Sequence, residues 1–178
     1  MHDFLIPTRI ESPRLVLRML QDADWRALHE QYSDEECTRY TLGRVLTEGE
    51  SWRTMSTILG HWMLRGYGPY AVTDKHSGDV LGVVGMWYPN DWPEPEILWQ
   101  IIRKHWGQGY ASEAARAVQA MARQHFPELS LISLIDERNT GSIRVAKAVG
   151  ATFEKELQFR GNVCQVYRHP DVDNINQS

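Results

Sequence analysis

Cysteine is scarce in this chain: Cys37 and Cys164 are the only two in 178 residues. They are too few for a disulfide framework and lack metal-ligand spacing, so both are expected as free thiols in a reducing cytoplasm. Long apolar runs are also missing. Nothing approaches the roughly 20 residues of a membrane span, and no signal-peptide apolar region opens the chain. Basic excess is absent: the formal net charge is −4 and the pI about 6.0. That argues against a nucleic-acid binder that relies on backbone electrostatics. His61, His76 and His125 show neither triad nor metal spacing. There is no internal repeat and no low-complexity linker. What remains is the composition of a globular protein with seven Trp, long enough for one well-filled core.

Residues 14–20 alternate Leu15, Leu17 and Met19 with Arg14 and Arg18, which predicts a half-buried first strand. Residues 22–31 predict a helix behind acidic residues. Thr47-Glu48-Gly49-Glu50 has capping-box spacing and predicts a second helix to about residue 64, ended by Gly66. Its expected apolar stripe is Trp52, Met55, Ile58, Leu59 and Trp62. Strands are expected at 70–73, 80–88 and 96–102, with the polar loop 89–95 before the last of these. A helix over 112–125, a strand over 129–135, a short helix over 142–148 and a hairpin of 152–159 with 163–169 complete the order. Helices and strands do not alternate regularly, so the fold class is α/β (α+β) with a mixed sheet.

The stretch on which the rest centres is 103–114, RKHWGQGYASEA. A strand stops, the chain turns through Gly107-Gln108-Gly109, and a helix begins. A helix start leaves backbone N–H groups without partners and carries the positive end of the macrodipole. Glycines let a ligand approach those donors, so the turn suits a phosphate or pyrophosphate. No Lys-Ser/Thr pair follows, which excludes a Walker P-loop. Ser112 stands where a dinucleotide fingerprint would need its third glycine.

Three pieces occur in a meaningful order. The opening Glu11-Ser12-Pro13-Arg14-Leu15-Val16-Leu17-Arg18 comes first. The stretch WGQGYASEA follows a strand. About thirty residues later comes Asn139-x-x-Ser142, ahead of Val149-Gly150. Together they resemble the GNAT superfamily of acyl-CoA-dependent N-acetyltransferases, in its RimJ/RimL-like branch. The resemblance runs from about Glu11 to His169. It implies a mixed, mostly antiparallel central sheet splayed in the middle and flanked by helices on both faces. It also implies one acyl-CoA N-acyltransferase domain over residues 1–170, with 171–178 as a polar tail. The co-substrate implied is acetyl-CoA, without a metal.

The family's turn pattern, Gln/Arg-x-x-Gly-x-Gly/Ala, maps onto Trp106, Gly107, Gln108, Gly109, Tyr110 and Ala111, with Trp106 the departure. The resemblance implies that these residues hold the pyrophosphate. It implies that Ile101 and Ile102 offer backbone groups to pantetheine, and that Asn139 and Ser142 touch the cofactor. Arg103 and Lys104 flank the turn as candidates for the 3′-phosphate.

Attack of an amine on a thioester needs a neutral amine, a polarised carbonyl oxygen and a proton for the departing thiolate. Glu96 opens the strand before the turn, in a context similar to the general base of histone-modifying members, and is the base candidate. Glu94 would share its face if the strand reached that far, though Pro95 intervenes. Many members place a Tyr general acid where this chain has Ala146. Ser142 is then the candidate proton relay or hydrogen bonder to sulfur. Trp92 is the candidate substrate wall. Neither cysteine has an evident His partner, so direct transfer is expected rather than a covalent enzyme intermediate.

The expected acceptor is a primary amine, either a protein N-terminal α-amine or a small molecule. Freeing an α-amine of pKa about 7.7–8.0 at pH 7 costs about 1–1.4 kcal/mol, against about 4.6 for a lysine, which favours the α-amine. Asp34, Glu35 and Glu36 form an acidic cluster able to receive a cationic peptide or polyamine. Neither nucleic acid nor membrane is expected as a partner, and the protein is expected as a monomer or homodimer. The alternative reading is an inactive acyl-CoA-binding sensor or interaction module.

Overall fold

A computed structural model describes residues 3–171. Eight strands form one sheet: β1 (Arg9–Glu11), β2 (Leu15–Arg18), β3 (Pro69–Asp74), β4 (Val80–Trp87), β5 (Glu96–Ile101), β6 (Ile132–Asp136), β7 (Thr152–Phe159) and β8 (Asn162–Arg168). The helices are α1 (Trp25–Tyr32), α2 (Glu35–Thr38), α3 (Glu48–Arg65), α4 (Tyr110–His125) and α5 (Thr140–Ala148). The sheet order is β1-β2-β3-β4-β5-β6-β8-β7. Every neighbouring pair is antiparallel except β5 with β6. The expected polar tail falls, after Asp171, outside the described residues.

Local chemistry sets several boundaries. Thr47 accepts from the Glu50 N–H, and the Glu50 carboxylate returns to the Thr47 N–H at 2.9 Å. Gly66 then ends α3 in the left-handed conformation at φ 75°, which a Cβ would penalise. Met55, Ile58 and Trp62 are buried as expected. Trp52 is not: it is 46% exposed and donates its indole N–H to Asp22. The first strand also departs from expectation. Leu15, Val16 and Leu17 are all buried, so both faces of β2 are covered and the alternation is lost. The first three residues of the expected helix at 22–31 form a 3₁₀ turn instead.

The feature that positions the site is a fork. β5 pairs with β4 along its whole length, from Gly82↔Ile101 to Trp87↔Glu96. It pairs with β6 at one position only, Glu96↔Ile132. Beyond Glu96 the two strands diverge and the β6-side edge of β5 opens. Side chains pin the fork where the ladder stops. Ser133 donates its hydroxyl proton to the Ile97 carbonyl at 2.6 Å. Its oxygen lies 2.9 Å from His169 Nε2, while Gln119 Nε2 lies 2.8 Å from His169 Nδ1 and donates to the Val149 carbonyl. A carboxamide nitrogen can only donate, so Nδ1 accepts and Nε2 carries the proton. The chain Gln119–His169–Ser133–Ile97 is thus fully satisfied and ties α4, the residue after β8, β6 and β5 together.

Close backbone approach matters on the other side of β5. A Cβ on Gly82 would stand 2.0 Å from the Gln100 carbonyl oxygen and 2.8 Å from Ile101 Cα. Backbone cannot yield there without opening the β4–β5 ladder. Gly82→Ala is expected to cost about 1–3 kcal/mol, read as a lower midpoint in urea; an unchanged midpoint would show that the ladder can slide.

Candidate active site

The fork opens into a groove of about 560 Å³. One wall comes from Tyr40 and Glu36 around α2, the back from Trp99 to Ile101 of β5, and the floor from the first turns of α4 and α5.

The α4 end of the groove is built for an anion. Gly107 and Gly109 sit at φ 73° and 80°, a conformation that costs other L-residues about 1–2 kcal/mol. Gly109 is the N-cap of a 16-residue helix and contributes no capping side chain. The first-turn residues Tyr110, Ala111 and Ser112 line the groove, and no N-cap side chain takes up the N–H groups of this turn. The turn is held from behind by the opening segment of the chain. Glu113 accepts from the Ser12 hydroxyl at 2.6 Å, the Arg14 N–H at 2.8 Å and Arg14 Nε at 2.6 Å. Arg14 also donates to the Gln108 carbonyl at 3.0 Å and lies over the Tyr110 ring. This clamp gives the opening motif and the glycine turn a shared physical purpose.

Of the residues expected on the cofactor, Ile101, Trp106, Gly107, Gly109, Tyr110, Ala111, Asn139 and Ser142 line this groove. Gln108 and Ile102 do not. Gln108 turns its amide back to the Lys104 carbonyl at 3.4 Å. Ile102 is buried, its N–H is committed to the Leu81 carbonyl and its own carbonyl accepts from His105. Trp106, which replaces the usual polar residue, donates its indole N–H to the Ile101 carbonyl at 2.6 Å. It caps the end of β5 while its ring faces the groove.

At the α5 end, Asn139 caps the helix by accepting from the Ser142 N–H at 3.2 Å. Ser142 lines the groove, and its hydroxyl has no protein partner among the described residues. Ala146, at the position where a Tyr acid is usual, is fully buried and off the groove lining. Arg103 and Lys104 are also elsewhere than expected. They pair with Asp34 and Glu30 at 2.7 Å each, because the 3₁₀ turn Arg103–His105 aims them at α1 and α2. The cations on the groove are instead Arg138 and Arg144. Arg138 is fixed by Asp136 at 2.6 Å and lies over the Tyr40 ring.

Glu96 occupies the fork itself, 5% exposed and off the groove lining. Leu134 N–H donates to Oε2 at 3.0 Å and Trp92 Nε1 to Oε1 at 2.7 Å. Burial pushes its carboxyl up to about 7, against the opposing pull of these two donors. Glu94 is not a second base: β5 begins only at Glu96, and Arg168 grips Glu94 at 2.7 and 3.1 Å. Trp92 is no groove wall either. It packs against Phe159 and Trp87, lies under the Arg160 guanidinium and covers Glu96. Trp92→Phe removes a donor that favours the carboxylate, so the Glu96 titration, followed by infrared difference spectroscopy, should move above 7. A titration that stays put would mean the indole does not set it.

The acidic cluster at 34–36 is largely taken up internally. Asp34 caps α2 and pairs with Arg103, and Glu36 pairs with Arg39. Cys37 lines the groove and Cys164 is buried; burial raises both thiols, which disfavours the nucleophilic thiolate. Gln31, Tyr40, Gln100 and His105 also line the groove. No motif flags them, because they come from α1, the segment after α2, β5 and the 3₁₀ turn Arg103–His105 and meet only through the fold. Among the described residues no His/Cys/Asp/Glu group could hold a metal ion, and no helix is long and apolar enough to cross a membrane.

Residues 14–152 match the family description "Acetyltransferase (GNAT) domain". The chain is similar to the N-acetyltransferase p20 of Bacillus licheniformis, itself uncharacterised, at 29% identity, covering 84% of each chain. Its fold is similar to the crystal structure of an acetyltransferase from Agrobacterium tumefaciens str. C58, with 27% identity, a TM-score of 0.83, and 93% and 95% of the two chains covered. It also superposes on RimL, a ribosomal α-N-protein acetyltransferase in complex with coenzyme A, with a TM-score of 0.71 at 16% identity over 93% of this chain and 97% of that one. A matched domain over most of the sequence, an open sheet with a fork and an uncapped helix start beneath it place this chain in the GNAT acetyltransferase family, as an acetyl-CoA-dependent N-acyltransferase.

Proposed function

We propose that this enzyme transfers acetyl from acetyl-CoA directly to a primary amine, with a protein N-terminal α-amine the favoured acceptor and a small-molecule amine the other. The observation that carries the reading is the meeting of two features in one place. The uncapped start of α4 faces the groove, and a buried carboxyl that titrates near neutral pH stands at the fork behind it. A base is most effective when its pKa lies near the working pH.

The residues divide the work as follows. First-turn N–H groups of α4 bind the pyrophosphate, and Arg138 and Arg144 supply positive charge at the groove. The open edge of β5 orients the pantetheine arm, whose thioester supplies the acetyl group. Glu96 receives the proton of the attacking amine through an intervening water, since it does not itself line the groove. The free Ser142 hydroxyl donates a hydrogen bond to the departing sulfur, and as the C–S bond breaks the thiolate takes its proton from groove water. No enzyme nucleophile is needed, in keeping with the raised cysteines. RimL acts on α-amines of ribosomal proteins by its own description, and its like fold supports that acceptor class here. With Asp34 and Glu36 paired internally, a polycation is the weaker candidate.

Thermal unfolding with and without acetyl-CoA tests the reading. Ligand at 100 times its dissociation constant adds about 2.7 kcal/mol, expected as a rise of roughly 5–10 °C for a domain of this size. Gly109→Glu puts a carboxylate at the anion site and a side chain at φ 80°, and should abolish the shift in a protein that still folds. No shift in the wild type at millimolar acetyl-CoA would remove the basis of the proposal. A shift without turnover of any amine in a library would favour the non-catalytic sensor.

A further inference from the structure

We infer that Arg160 is a positioning residue for the acetyl transfer: from the tip of the β7–β8 hairpin its guanidinium holds the Trp92 indole on the Glu96 carboxyl, which rests on the reading of Glu96 as the base. Two residues, Arg160 and Gly161, join β7 to β8, with φ values of 49° and 82°. A two-residue hairpin turn with both central residues at positive φ favours Asn-Gly, Asp-Gly or Gly-Gly. Arg160 is the one non-glycine at positive φ among the described residues, and its Cβ works against that conformation. The contacts show what the arginine supplies in return. Nη2 donates to Asp91 at 2.6 Å, but the two side chains are 60% and 55% exposed, and such pairs contribute little. The guanidinium also lies over the Trp92 ring, 4.7 Å from its centre, and 5.3 Å from that of Phe159. One side chain thus grips two successive residues of the loop 88–95, Asp91 by charge and Trp92 by its ring face. The other rings meet Trp92 edge to face, Phe159 at 4.9 Å and Trp87 at 6.2 Å.

The grip matters because Glu96 has two donors of different kinds. Leu134 N–H belongs to the backbone of β6 and is fixed by the sheet. Trp92 Nε1–H, at 2.7 Å, is a side chain on a loop, so its direction depends on what holds the ring. Both donors favour the carboxylate against burial, and of the two only the indole can be adjusted from outside the strands. The titratable groups on the surrounding elements are otherwise engaged. Glu94 and Arg168 hold each other, and Asp136 of β6 holds Arg138. His61 of α3, stacked on Trp87, meets the Tyr67 carbonyl and the Tyr88 N–H. Cys164 of β8 is a buried thiol, raised first by burial and then by Asp136 and Glu96.

Arg160→Asn separates positioning from hairpin stability, since asparagine is a residue the turn prefers. The variant should melt at or above wild type and yet lose the hold on Trp92. The Glu96 titration, followed by infrared difference spectroscopy and assigned by its absence in Glu96→Gln, should rise by at least about half a pH unit. Half a unit changes the carboxylate fraction below the pKa about threefold, so turnover of Ala-Ala-Ala-Ala-amide at pH 6 should fall by that factor and the loss should fade by pH 8.5. In a Trp92→Phe background the same substitution should move the titration no further, because the donor it positions is gone. An arginine that only stabilises the hairpin would lower the melting point and leave the titration in place. An unmoved titration in folded Arg160→Asn overturns the inference, as does a full shift that persists on top of Trp92→Phe. Should Arg160→Asn fail to fold, Arg160→Gly, the turn's other favoured residue, decides in its place. Full turnover in Glu96→Gln is a separate outcome: it strikes the reading of Glu96 as the base, while the infrared titration still reads the grip of Arg160 on Trp92.

Discussion

Glu96→Gln is expected to lower turnover at least about tenfold while the dissociation constant for acetyl-CoA stays within about twofold. The asymmetry follows from position. Glu96 stands in the fork and off the groove lining, so the cofactor does not depend on it. Only a proton acceptor at that place connects it to the chemistry. The pH dependence sharpens the expectation. With the carboxyl raised to about 7 by burial, the base is protonated below that pH, so kcat/KM should climb as pH rises through about 7. In the glutamine variant this limb disappears, leaving only the titration of the amine. Glutamine also mismatches the site: Trp92 Nε1 and Leu134 N–H both donate to Glu96, and a carboxamide offers one acceptor. The stranded donor costs about 1–3 kcal/mol, so melting must be recorded beside kinetics. Full turnover with an unshifted profile would take Glu96 out of the reaction.

The parts of this protein legible in its sequence are those fixed by neighbours in the chain. Thr47 and Glu50 are three apart, so the capping box that starts α3 is visible in the string, as is Gly66 at its end. The glycine turn before α4 and the Asn139 cap of α5 are local in the same way. β1 escapes because Arg9-Ile10-Glu11 is too short to show a period. The fork escapes for a deeper reason. That β5 meets β6 only at Glu96↔Ile132 is a statement about two segments 36 residues apart, and nothing in either announces where pairing stops. Arg103 and Lys104 show how adjacency misleads: they flank the phosphate turn in sequence, yet one 3₁₀ turn sends them to Asp34 and Glu30. Trp92 misleads in the opposite way. Its loop is polar, but its indole lies between Phe159 and Trp87 and covers the buried carboxyl. Gln31 and Gln100 carry no signal at all, since each is an ordinary residue until the fold sets them side by side.

Two buried groups at the fork make opposite demands on stability, and their conflict is measurable. His169 is held neutral, its pKa lowered by burial from 6.5 to about 4. The unfolded chain therefore binds a proton that the folded one refuses between those values, and folding gains stability as pH rises from 4 to 6.5. Glu96 does the reverse. Its carboxyl is raised from 4.5 to about 7, so the folded state holds the extra proton and stability falls as pH rises from 4.5 to 7. Each effect integrates to on the order of 3 kcal/mol. Over pH 4.5–6.5 the two slopes cancel, and these groups together leave the wild type flat. Glu96→Gln should uncover the His169 slope, a gain of about 1.4 kcal/mol per pH unit relative to wild type in that window. His169→Gln, which can still bond Gln119 and Ser133, should tilt the curve equally the other way. Urea unfolding at half-unit steps of pH reads both slopes, and the constant offset from the stranded donor in Glu96→Gln does not enter them. Parallel curves for all three proteins would mean that neither group changes its protonation on folding, and Glu96 would then lose the neutral-range titration that suits it to act as a base.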